Sequence, residues 1–296
     1  MKVFVVGNIA LDQTLAVDRM PLEGESIFGS NISTDLGGKG TNQAIVLARC
    51  GITTILIAAI GADAQSRQMR DRLSREPVTA RLIERSNISG DTTIVLKDAH
   101  GGNVNITTVD CARSLEIDDV RPLMEDAEPG DLVVLQGNLT VAATADIMRE
   151  ARARQLRLAL NPSPLSPGIV PHMKGLDAIF LNEHEAEEIT GLRTQAAVRY
   201  LQDLNIDVVV LTLGASGALL GSKDGVISVP AQKVSVADST GAGDTFQSVA
   251  IGSALRRKAW IDSDALSKAA KASAITVSRF GTAAAFPSAA ELEGLL

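Results

Sequence analysis

Short apolar runs that each end in polar or turn-forming residues constrain the fold of this chain more than any other feature. The runs cover residues 3–6, 132–135, 158–160, 179–181 and 208–211. They are rich in Val, Ile and Leu and do not alternate with polar residues, which is typical of strands buried on both faces of a parallel sheet. The segments that follow them are Gly7-Asn8, Gln136-Gly137-Asn138, Asn161-Pro162, Asn182-Glu183 and Thr212-Leu213-Gly214.

Helical patterns lie between these runs, at residues 41–50, 141–155, 183–190 and 195–204. Strands that alternate with helices predict right-handed crossovers and a doubly wound, mostly parallel α/β sheet with helices on both faces. Ligands of such sheets bind beyond the carboxyl ends of the strands. We therefore expect Asn138, Asn161, Asn182 and Thr212 to face one ligand site.

Two segments, residues 11–35 and 90–110, do not follow this alternation of strands and helices. The first contains the turn signals Met20-Pro21 and Glu23-Gly24, and the second alternates around His100-Gly101-Gly102-Asn103. Both patterns predict antiparallel strands, which together would form a small β lid over the ligand face. Because the chain contains no long linker, we expect residues 1–296 to form a single domain into which this lid is inserted.

Composition excludes several classes of protein. The net charge is −7, and the cluster Arg149, Arg152, Arg154 and Arg157 reads as the solvated face of a helix, so we expect no nucleic-acid partner. Two cysteines are too few for a disulfide framework. The sequence has neither an apolar run of membrane-spanning length nor the features of a signal peptide. We expect a cytoplasmic enzyme with no membrane partner.

The sharpest motif is Asp238-Ser239-Thr240-Gly241-Ala242-Gly243-Asp244, followed by an apolar helix over residues 245–255. Gly-Ala-Gly at a helix start lets free N–H groups approach a ligand, and the helix dipole adds positive potential, so the turn predicts an anion hole. Asp244 beside that hole can accept the proton of a hydroxyl that attacks the bound anion. Alternatively, Asp244 is an acidic residue that the helix dipole alone favours; the full seven-residue run favours the catalytic interpretation.

A second glycine-rich motif, residues 37–44, opens the first long helix. Its glycines let backbone amides reach a substrate hydroxyl, and Asn42 can donate and accept hydrogen bonds. Lys39 is either a phosphate-binding cation or a surface charge. The spacing is not that of a P-loop, and an ordinary turn between a hairpin and a helix would also explain the glycines.

Asn182-Glu183-His184-Glu185 follows an apolar strand. A carboxylate near phosphates suits Mg²⁺ held through water, which makes Glu185 the candidate. Alternatively, Asn182 is a helix cap followed by acidic residues that the dipole favours. His184 has no second ligand at metal spacing, so zinc is not expected.

Two weaker signals complete the candidate site. The strand-end turn Thr212-Leu213-Gly214-Ala215-Ser216-Gly217 can hold a nucleotide phosphate through backbone N–H groups, or is an ordinary β-turn. Asp12, just past the first strand, can accept two hydrogen bonds from a polyol, or is a solvated loop residue.

In this order, these motifs resemble the ribokinase family, the PfkB-type carbohydrate kinases, over nearly the whole chain. The segments that carry the resemblance are residues 20–25, 37–44, 161–164, 182–185, 212–217 and 238–244. The last is the family's most specific signature. The resemblance implies a doubly wound α/β core with a β lid that often serves for dimerisation, so we expect a homodimer through the lid.

The resemblance also implies a role for each matching residue. Asp244 would deprotonate the primary hydroxyl of a sugar, and Gly241, Ala242 and Gly243 would form the anion hole. The other roles fall into three sets: sugar contacts at Asp12, Gly38, Lys39, Asn42 and Asn138; nucleotide or Mg²⁺ contacts at Asn182, Glu185, Thr212, Gly214, Ser216, Gly217 and Gly243; and a monovalent cation, such as K⁺, at Asp238, Thr240, Thr276, Arg279 and Gly281.

Three positions depart from the family's pattern. Ala10 stands where these kinases commonly have a sugar-binding Asn, Asn138 where they commonly have Glu, and Ala285 where they have a Ser at the cation site. We expect transfer of the γ-phosphoryl group of ATP to a pentose such as ribose. The alternatives are a nucleoside or pseudouridine kinase and a catalytically silent sugar-binding protein. A Rossmann dehydrogenase is disfavoured because residues 3–12 lack the spaced glycines.

Overall fold

The computed structural model describes residues 1–98 and 102–296, so His100 and Gly101 of the predicted lid turn lie outside the described residues. Its strands are β1 (Val3–Val6), β2 (Ala10–Val17), β3 (Gly29–Gly37), β4 (Thr54–Gly61), β5 (Thr79–Arg85), β6 (Asp91–Asp98), β7 (Asn103–Thr107), β8 (Leu132–Gln136), β9 (Arg157–Asn161), β10 (Ala178–Asn182), β11 (Val208–Thr212), β12 (Ala218–Ser222) and β13 (Gly225–Val229). Its helices are α1 (Lys39–Arg49), α2 (Ala64–Leu73), α3 (Asp110–Arg113), α4 (Ile117–Val120), α5 (Val141–Ala153), α6 (Glu183–Thr190), α7 (Thr194–Asp203), α8 (Ala242–Arg256), α9 (Ser263–Val277) and α10 (Ala289–Leu295).

The large sheet has nine strands in the order β13-β12-β11-β10-β9-β8-β1-β4-β5. From β11 to β5 all neighbours pair in parallel, while β12 and β13 add an antiparallel edge. This confirms the predicted mostly parallel α/β sheet.

Helices cover both faces of this sheet, because its central strands are apolar on both sides. Val3 and Val5 of β1 pack into one core with side chains of α1, α8 and α9. Phe4 and Val6 pack into the opposite core with side chains of α5 and α7. A strand that is buried on both faces reads as a continuous apolar run, which is why the sequence predicted β1 with its observed bounds.

A smaller, four-stranded sheet has the order β3-β2-β6-β7. The outer pairs β2–β3 and β6–β7 are antiparallel, and the central pair β2–β6 is parallel. Its strands fall within the two segments predicted to form the lid, apart from short extensions at the start of β2 and the end of β3. Among the described residues, no helix combines the length and the apolarity needed to cross a membrane.

Candidate active site

Two clefts meet at the carboxyl ends of the parallel strands. The central cleft, about 690 Å³, is lined by residues that include Asp12, Lys39, Asn138, Glu185 and Asp244. The outer cleft, about 530 Å³, lies beside α8 and α9 and is mainly apolar. Thr212, Ser239, Gly243 and Phe246 line both clefts. Molecules bound in the two clefts would therefore meet at the N-terminus of α8.

The two glycines of the α8 N-terminus serve different purposes. Gly241 has a φ of 74°, and a Cβ atom there would lie 2.4 Å from a ring carbon of Phe286, so the tight turn requires glycine. A Cβ atom at Gly243 would meet no atom of the described residues within 4 Å. Gly243 therefore keeps the end of the helix open toward the clefts.

Backbone N–H groups at this N-terminus are available to an anion. The N–H groups of Gly241 and Gly243 have no acceptor among the described residues, whereas Ala242 N donates to Ser239 O at 3.3 Å. A helix N-terminus with free N–H groups attracts anions. The structure thus differs from the sequence prediction at Ala242, whose N–H group is already engaged within the turn.

Asp244 is 5% exposed and lies in the first turn of α8, where two amide side chains orient it. Asn42 Nδ2 donates to Asp244 Oδ2 at 2.9 Å, and Gln43 Nε2 donates to Asp244 Oδ1 at 3.0 Å. Gln43 Oε1 in turn accepts from Gln136 Nε2 at 2.8 Å. Both carboxylate oxygens are therefore held in place at the edge of the central cleft.

Sequence reasoning missed Gln43 and Gln136 as parts of the site. Gln43 stands within the glycine-rich motif at residues 37–44, directly after Asn42, and that position was its only sequence signal. Gln136 ends β8 and lines up with the other polar strand ends, but its contact with Gln43 spans 93 residues. Only the folded chain shows that these amides form one network behind Asp244.

Asp12 reaches the central cleft from β2 of the smaller sheet. Thr282 Oγ1 donates to Asp12 Oδ2 at 2.9 Å, while Oδ1 is buried without a partner among the described residues. Burial raises the pKa of Asp12 to about 6, although the side-chain hydroxyls of Thr282 and Thr93 oppose this shift. A side chain at Gly37 would collide with this carboxylate at 2.1 Å, so glycine is needed beside it.

Three residues that line the central cleft carry a buried oxygen atom without a hydrogen-bond partner among the described residues. Asp12 Oδ1, Asn42 Oδ1 and Asn138 Oδ1 are all buried and have no hydrogen-bond partner among the described residues. A buried polar atom without a partner is costly unless a ligand or water satisfies it. A ligand that brings several hydroxyl or amide donors would satisfy such acceptors.

Further polar side chains line the central cleft that the sequence did not single out. Thr93, Asn105 and Thr107 of the smaller sheet and Arg113 at the end of α3 lie on its wall. Asn8 also lines it, and its Oδ1 accepts from Gly40 N at 3.2 Å, which helps to hold the start of α1. The cleft is thus closed on one side by the smaller sheet, as expected for a lid.

Asn182 and Glu185 form the reciprocal cap that was the alternative interpretation of this motif. Glu185 N donates to Asn182 Oδ1 at 2.8 Å, and Asn182 N donates to Glu185 Oε2 at 2.9 Å. Glu185 Oε1 makes no hydrogen bond among the described residues, and both residues line the central cleft. The cap therefore uses one oxygen of Glu185 and leaves the other for a ligand.

The turn at residues 212–217 contributes to the outer cleft only in part. Thr212, Gly214 and Gly217 line this cleft. A Cβ atom at Gly217, which has a φ of 96°, would lie 2.1 Å from Val229 O, so glycine is required there. Ser216 is exposed and lies outside the lining of both clefts, which places it differently from its predicted role.

The five positions predicted to hold a monovalent cation lie together behind the α8 N-terminus. Gly281 N points at Asp238 Oδ2 at 3.4 Å, and Asp238 Oδ1 accepts from Thr240 N and Thr240 Oγ1 at 3.0 and 2.7 Å. Thr276 Oγ1 is instead paired with Thr245 Oγ1 at 2.9 Å, and the Arg279 side chain pairs with Glu291. The side chains of Thr276 and Arg279 are thus engaged elsewhere, and Thr276 O also accepts from Arg279 N at 3.1 Å.

The chain resembles known proteins along its whole length. Residues 1–289 match the model of the pfkB family carbohydrate kinases. A ribokinase of Lactococcus lactis subsp. lactis (strain IL1403) is 28% identical over 306 residues, covering 100% of this chain and 97% of that protein. A deoxyribokinase of Salmonella typhi is 25% identical over 254 residues, covering 83% of each.

Similarity to solved structures supports the same fold. The structure of ribokinase from Giardia lamblia has a TM-score of 0.88 at 24% sequence identity, with 100% of this chain and 99% of that chain covered. At this identity the match shows the fold, while the family match carries the activity. Together with the open N-terminus of α8 and the carboxylate held beside it, the match over residues 1–289 shows that this chain belongs to the pfkB family and is an ATP-dependent carbohydrate kinase.

Proposed function

We propose that the chain transfers the γ-phosphoryl group of ATP to a primary hydroxyl of a small sugar, most simply a pentose such as ribose, bound in the central cleft. The observation that carries this proposal is that Asp12, Asn42 and Asn138, which line the cleft that contains Asp244, each carry a buried side-chain oxygen without a partner among the described residues. Such a set of acceptors matches the several hydroxyl groups of a polyol.

Asp244 acts as the general base in this proposal. Its carboxylate accepts the proton of the attacking hydroxyl, the sugar oxygen forms a bond to the γ-phosphorus, and the bond from phosphorus to the bridging oxygen of ADP breaks. The hydrogen bonds from Asn42 and Gln43 fix the carboxylate in one orientation. Positioning of this kind is the main contribution of a protein to phosphoryl transfer.

The free N–H groups of Gly241 and Gly243 stabilise the negative charge of the transferred group. They lie at the helix N-terminus, whose dipole adds to their effect. Because Gly243 borders both clefts, it stands where the γ-phosphate would pass from the nucleotide to the sugar. The charge-stabilising and proton-accepting groups thus share the first turn of α8.

ATP is proposed to occupy the outer cleft. Its wall is apolar around Val234, Val236, Ala270 and Val277, which suits the flat face of a nucleotide base. The turn that contains Gly214 and Gly217 supplies backbone groups near the phosphates. This placement directs the γ-phosphate toward the shared boundary at Gly243.

Mg²⁺ fits the donor set near Glu185. Among the described residues, no group of three or more His, Cys, Asp or Glu side chains forms a metal cage. Glu185 Oε1, which has no other partner in the described part of the chain, suits a single water-mediated contact to a hydrated ion that the phosphates also bind. The ion would neutralise phosphate charge there.

The identity of the sugar rests on fewer observations. Relatives named ribokinase and deoxyribokinase favour a pentose. Ala10 and Asn138, which depart from the family's pattern, change two of the expected sugar contacts. Arg113 and Lys39 add positive charge to the wall of the cleft, so a sugar that carries an acidic group belongs in any substrate screen.

A dimer through the lid is supported by the outer face of the smaller sheet. Successive strand residues point to opposite faces, and Thr93 and Val95 face the central cleft, so Ile94 and Leu96 face away from it. Their cross-strand partners on β7 are Ile106 and Val104, which are 56% and 44% exposed. An apolar sheet face of this kind is suited to pairing with a second copy.

The two buried free thiols, Cys50 and Cys111, fit the reducing cytoplasm, where we place the enzyme.

A substrate panel tests the proposed function. ADP release would be measured with pentoses, hexoses, acidic sugars and nucleosides at equal concentration, with Asp244→Asn as the matched inactive control. The proposal predicts the highest kcat/KM for a pentose. A nucleoside preference would support the alternative substrate class, and no ADP release with any compound would support a silent binding protein.

A further inference from the structure

The monovalent cation expected behind the anion hole does not fit this chain as it stands. Both oxygens of the Asp238 carboxylate are already engaged: Oδ1 by Thr240, and Oδ2 by an ammonium group. Lys97 Nζ lies 2.6 Å from Asp238 Oδ2, and Gly281 N also points at this oxygen. Ala285 offers no side-chain oxygen. A cation could reach this carboxylate only by displacing Lys97.

The Lys97–Asp238 pair is largely shielded from water. The Asp238 side chain is 5% exposed and the Lys97 side chain 21% exposed. Charges at such depth are screened little by salt, so the field of the two paired charges on neighbouring groups is stronger than that of a surface pair. Lys97 therefore supplies a fixed positive charge at this position.

The position of Asp238 links this charge to the anion hole. Asp238 Oδ1 holds both the N–H and the hydroxyl of Thr240, which directly precedes Gly241 at the start of α8. Lys97 approaches from β6 of the smaller sheet, on the same face as Thr93 and Val95, which line the central cleft. The Lys97–Asp238 pair thus contacts the turn before α8 from the side of the lid and helps to hold it in place.

We infer that the Lys97 ammonium group takes the place of the monovalent cation, so that the enzyme needs no K⁺ for activity. An ammonium group carries the same single charge as K⁺, and its three N–H donors can satisfy carboxylate and carbonyl oxygens. Because it is tethered to the chain, this charge is present at any concentration of salt. The inference rests on the proposed function of the central cleft, since the charge supports its anion hole.

Removal of the tethered charge tests the inference. Wild type, Lys97→Met and the surface control Lys223→Met would be assayed in buffers free of alkali metal, with tetramethylammonium chloride replaced stepwise by KCl at constant ionic strength. We expect the wild type and Lys223→Met to show no K⁺ dependence. Lys97→Met should lose at least about tenfold in kcat, with a smaller change in the KM for the sugar, and K⁺ or methylammonium should restore the rate with saturation.

Thermal unfolding gives a second readout that does not need the substrate. A cation that binds the vacated position stabilises the folded state, so K⁺ should raise the Tm of Lys97→Met but not that of the wild type. Saturable activation or stabilisation of the wild type by K⁺ would overturn the inference. So would full activity of Lys97→Met without K⁺, or a loss that no monovalent cation restores. If the wild type phosphorylated no sugar, the proposed function would fail, and the Tm comparison would still decide the role of Lys97.

Discussion

Asn42 Nδ2 lies 2.9 Å from Asp244 Oδ2, although 202 positions separate the two residues in the chain. The contact joins the glycine-rich start of α1 to the glycine-rich start of α8. Both turns open on the central cleft, so the helix that carries Asn42, the proposed sugar contact, also holds the proposed base. The geometry of proton transfer thus depends on the packing of α1 against α8.

Substitution of the two glycines in the α8 turn should separate activity from stability. Gly243→Ala places a methyl group in open space at a helical position, so it should leave stability unchanged or raise it by about 0.5 kcal/mol. Because the methyl group would stand in the anion site, kcat/KM for ATP should fall at least about tenfold.

Gly241→Ala is the matched comparison, because its Cβ would collide with Phe286 and its φ of 74° is strained for alanine. This variant should lose about 1–3 kcal/mol of unfolding free energy. Urea unfolding and steady-state kinetics of both variants would check the contrast. Normal activity in Gly243→Ala would show that no phosphoryl group sits there.

Gln43→Met should weaken catalysis by freeing one oxygen of Asp244. The substitution keeps the size of the side chain but removes the donor to Oδ1 and the acceptor for Gln136. We expect kcat to fall about tenfold and the unfolding free energy to fall by about 1–3 kcal/mol, with little change in the KM for ATP. Gln247→Met, which touches Gln43 at 3.4 Å but not Asp244, is the control for stability. An equal loss of kcat in both variants would argue against an orienting role.

Asp12 should cost the folded protein stability at neutral pH. Burial raises its pKa from 3.8 to about 6 in the folded state. Below pH 3.8 the side chain is protonated in both states and costs no stability. The cost grows as pH rises from 3.8, where the unfolded chain ionises, and is complete above about 6. The charged form is then disfavoured by about 2–3 kcal/mol. Asp12→Asn should therefore be more stable than the wild type at pH 8, and this difference should shrink toward pH 4.

The same substitution should weaken sugar binding, because the carboxylate would no longer accept two hydroxyl hydrogen bonds. Urea unfolding of both proteins at pH 8 and pH 4, with the KM for the sugar at pH 8, checks the trade-off. A stability difference that does not depend on pH would contradict the raised pKa.

The outer face of the lid should mediate association of two chains. Ile106→Lys places a charge on this face, and we expect sedimentation to shift from dimer to monomer. Leu192→Lys changes an exposed apolar residue outside the lid and should leave the dimer intact. A wild-type protein that sediments as a monomer at micromolar concentration would refute the proposed interface.

Uniform burial marks several of the strands that the sequence predicted, although β4, which is buried along its whole length, was not among the predicted runs. β1 is buried on both faces along its whole length, and its apolar run matches its bounds. β5 escaped notice because it is an edge strand with exposed positions, so neither a continuous run nor a clean alternation marks it. The parallel pairing of β2 with β6 was also invisible, since it joins segments that are distant in the chain.

Local motifs likewise predicted where the site lies better than which side chains contact each other within it. Glycine turns such as Gly241 and Gly217 carry their own backbone requirement, so spacing alone marks them. Lys97 and Thr282 bind Asp238 and Asp12 across long stretches of chain, and nothing around them in sequence distinguishes them from surface residues. Ser216 belongs to a predicted motif but does not line the outer cleft, whereas its neighbours Ala215 and Gly217 do.

The central claim is that the carboxylate of Asp244 accepts the proton of the attacking hydroxyl, and Asp244→Asn tests it most directly. The amide keeps the size of the side chain but cannot accept this proton at neutral pH. Kinetics on the best sugar from the panel, with calorimetric titration of ATP, should show kcat lowered by on the order of 10²-fold or more and ATP binding retained. A variant with wild-type kcat would contradict the account.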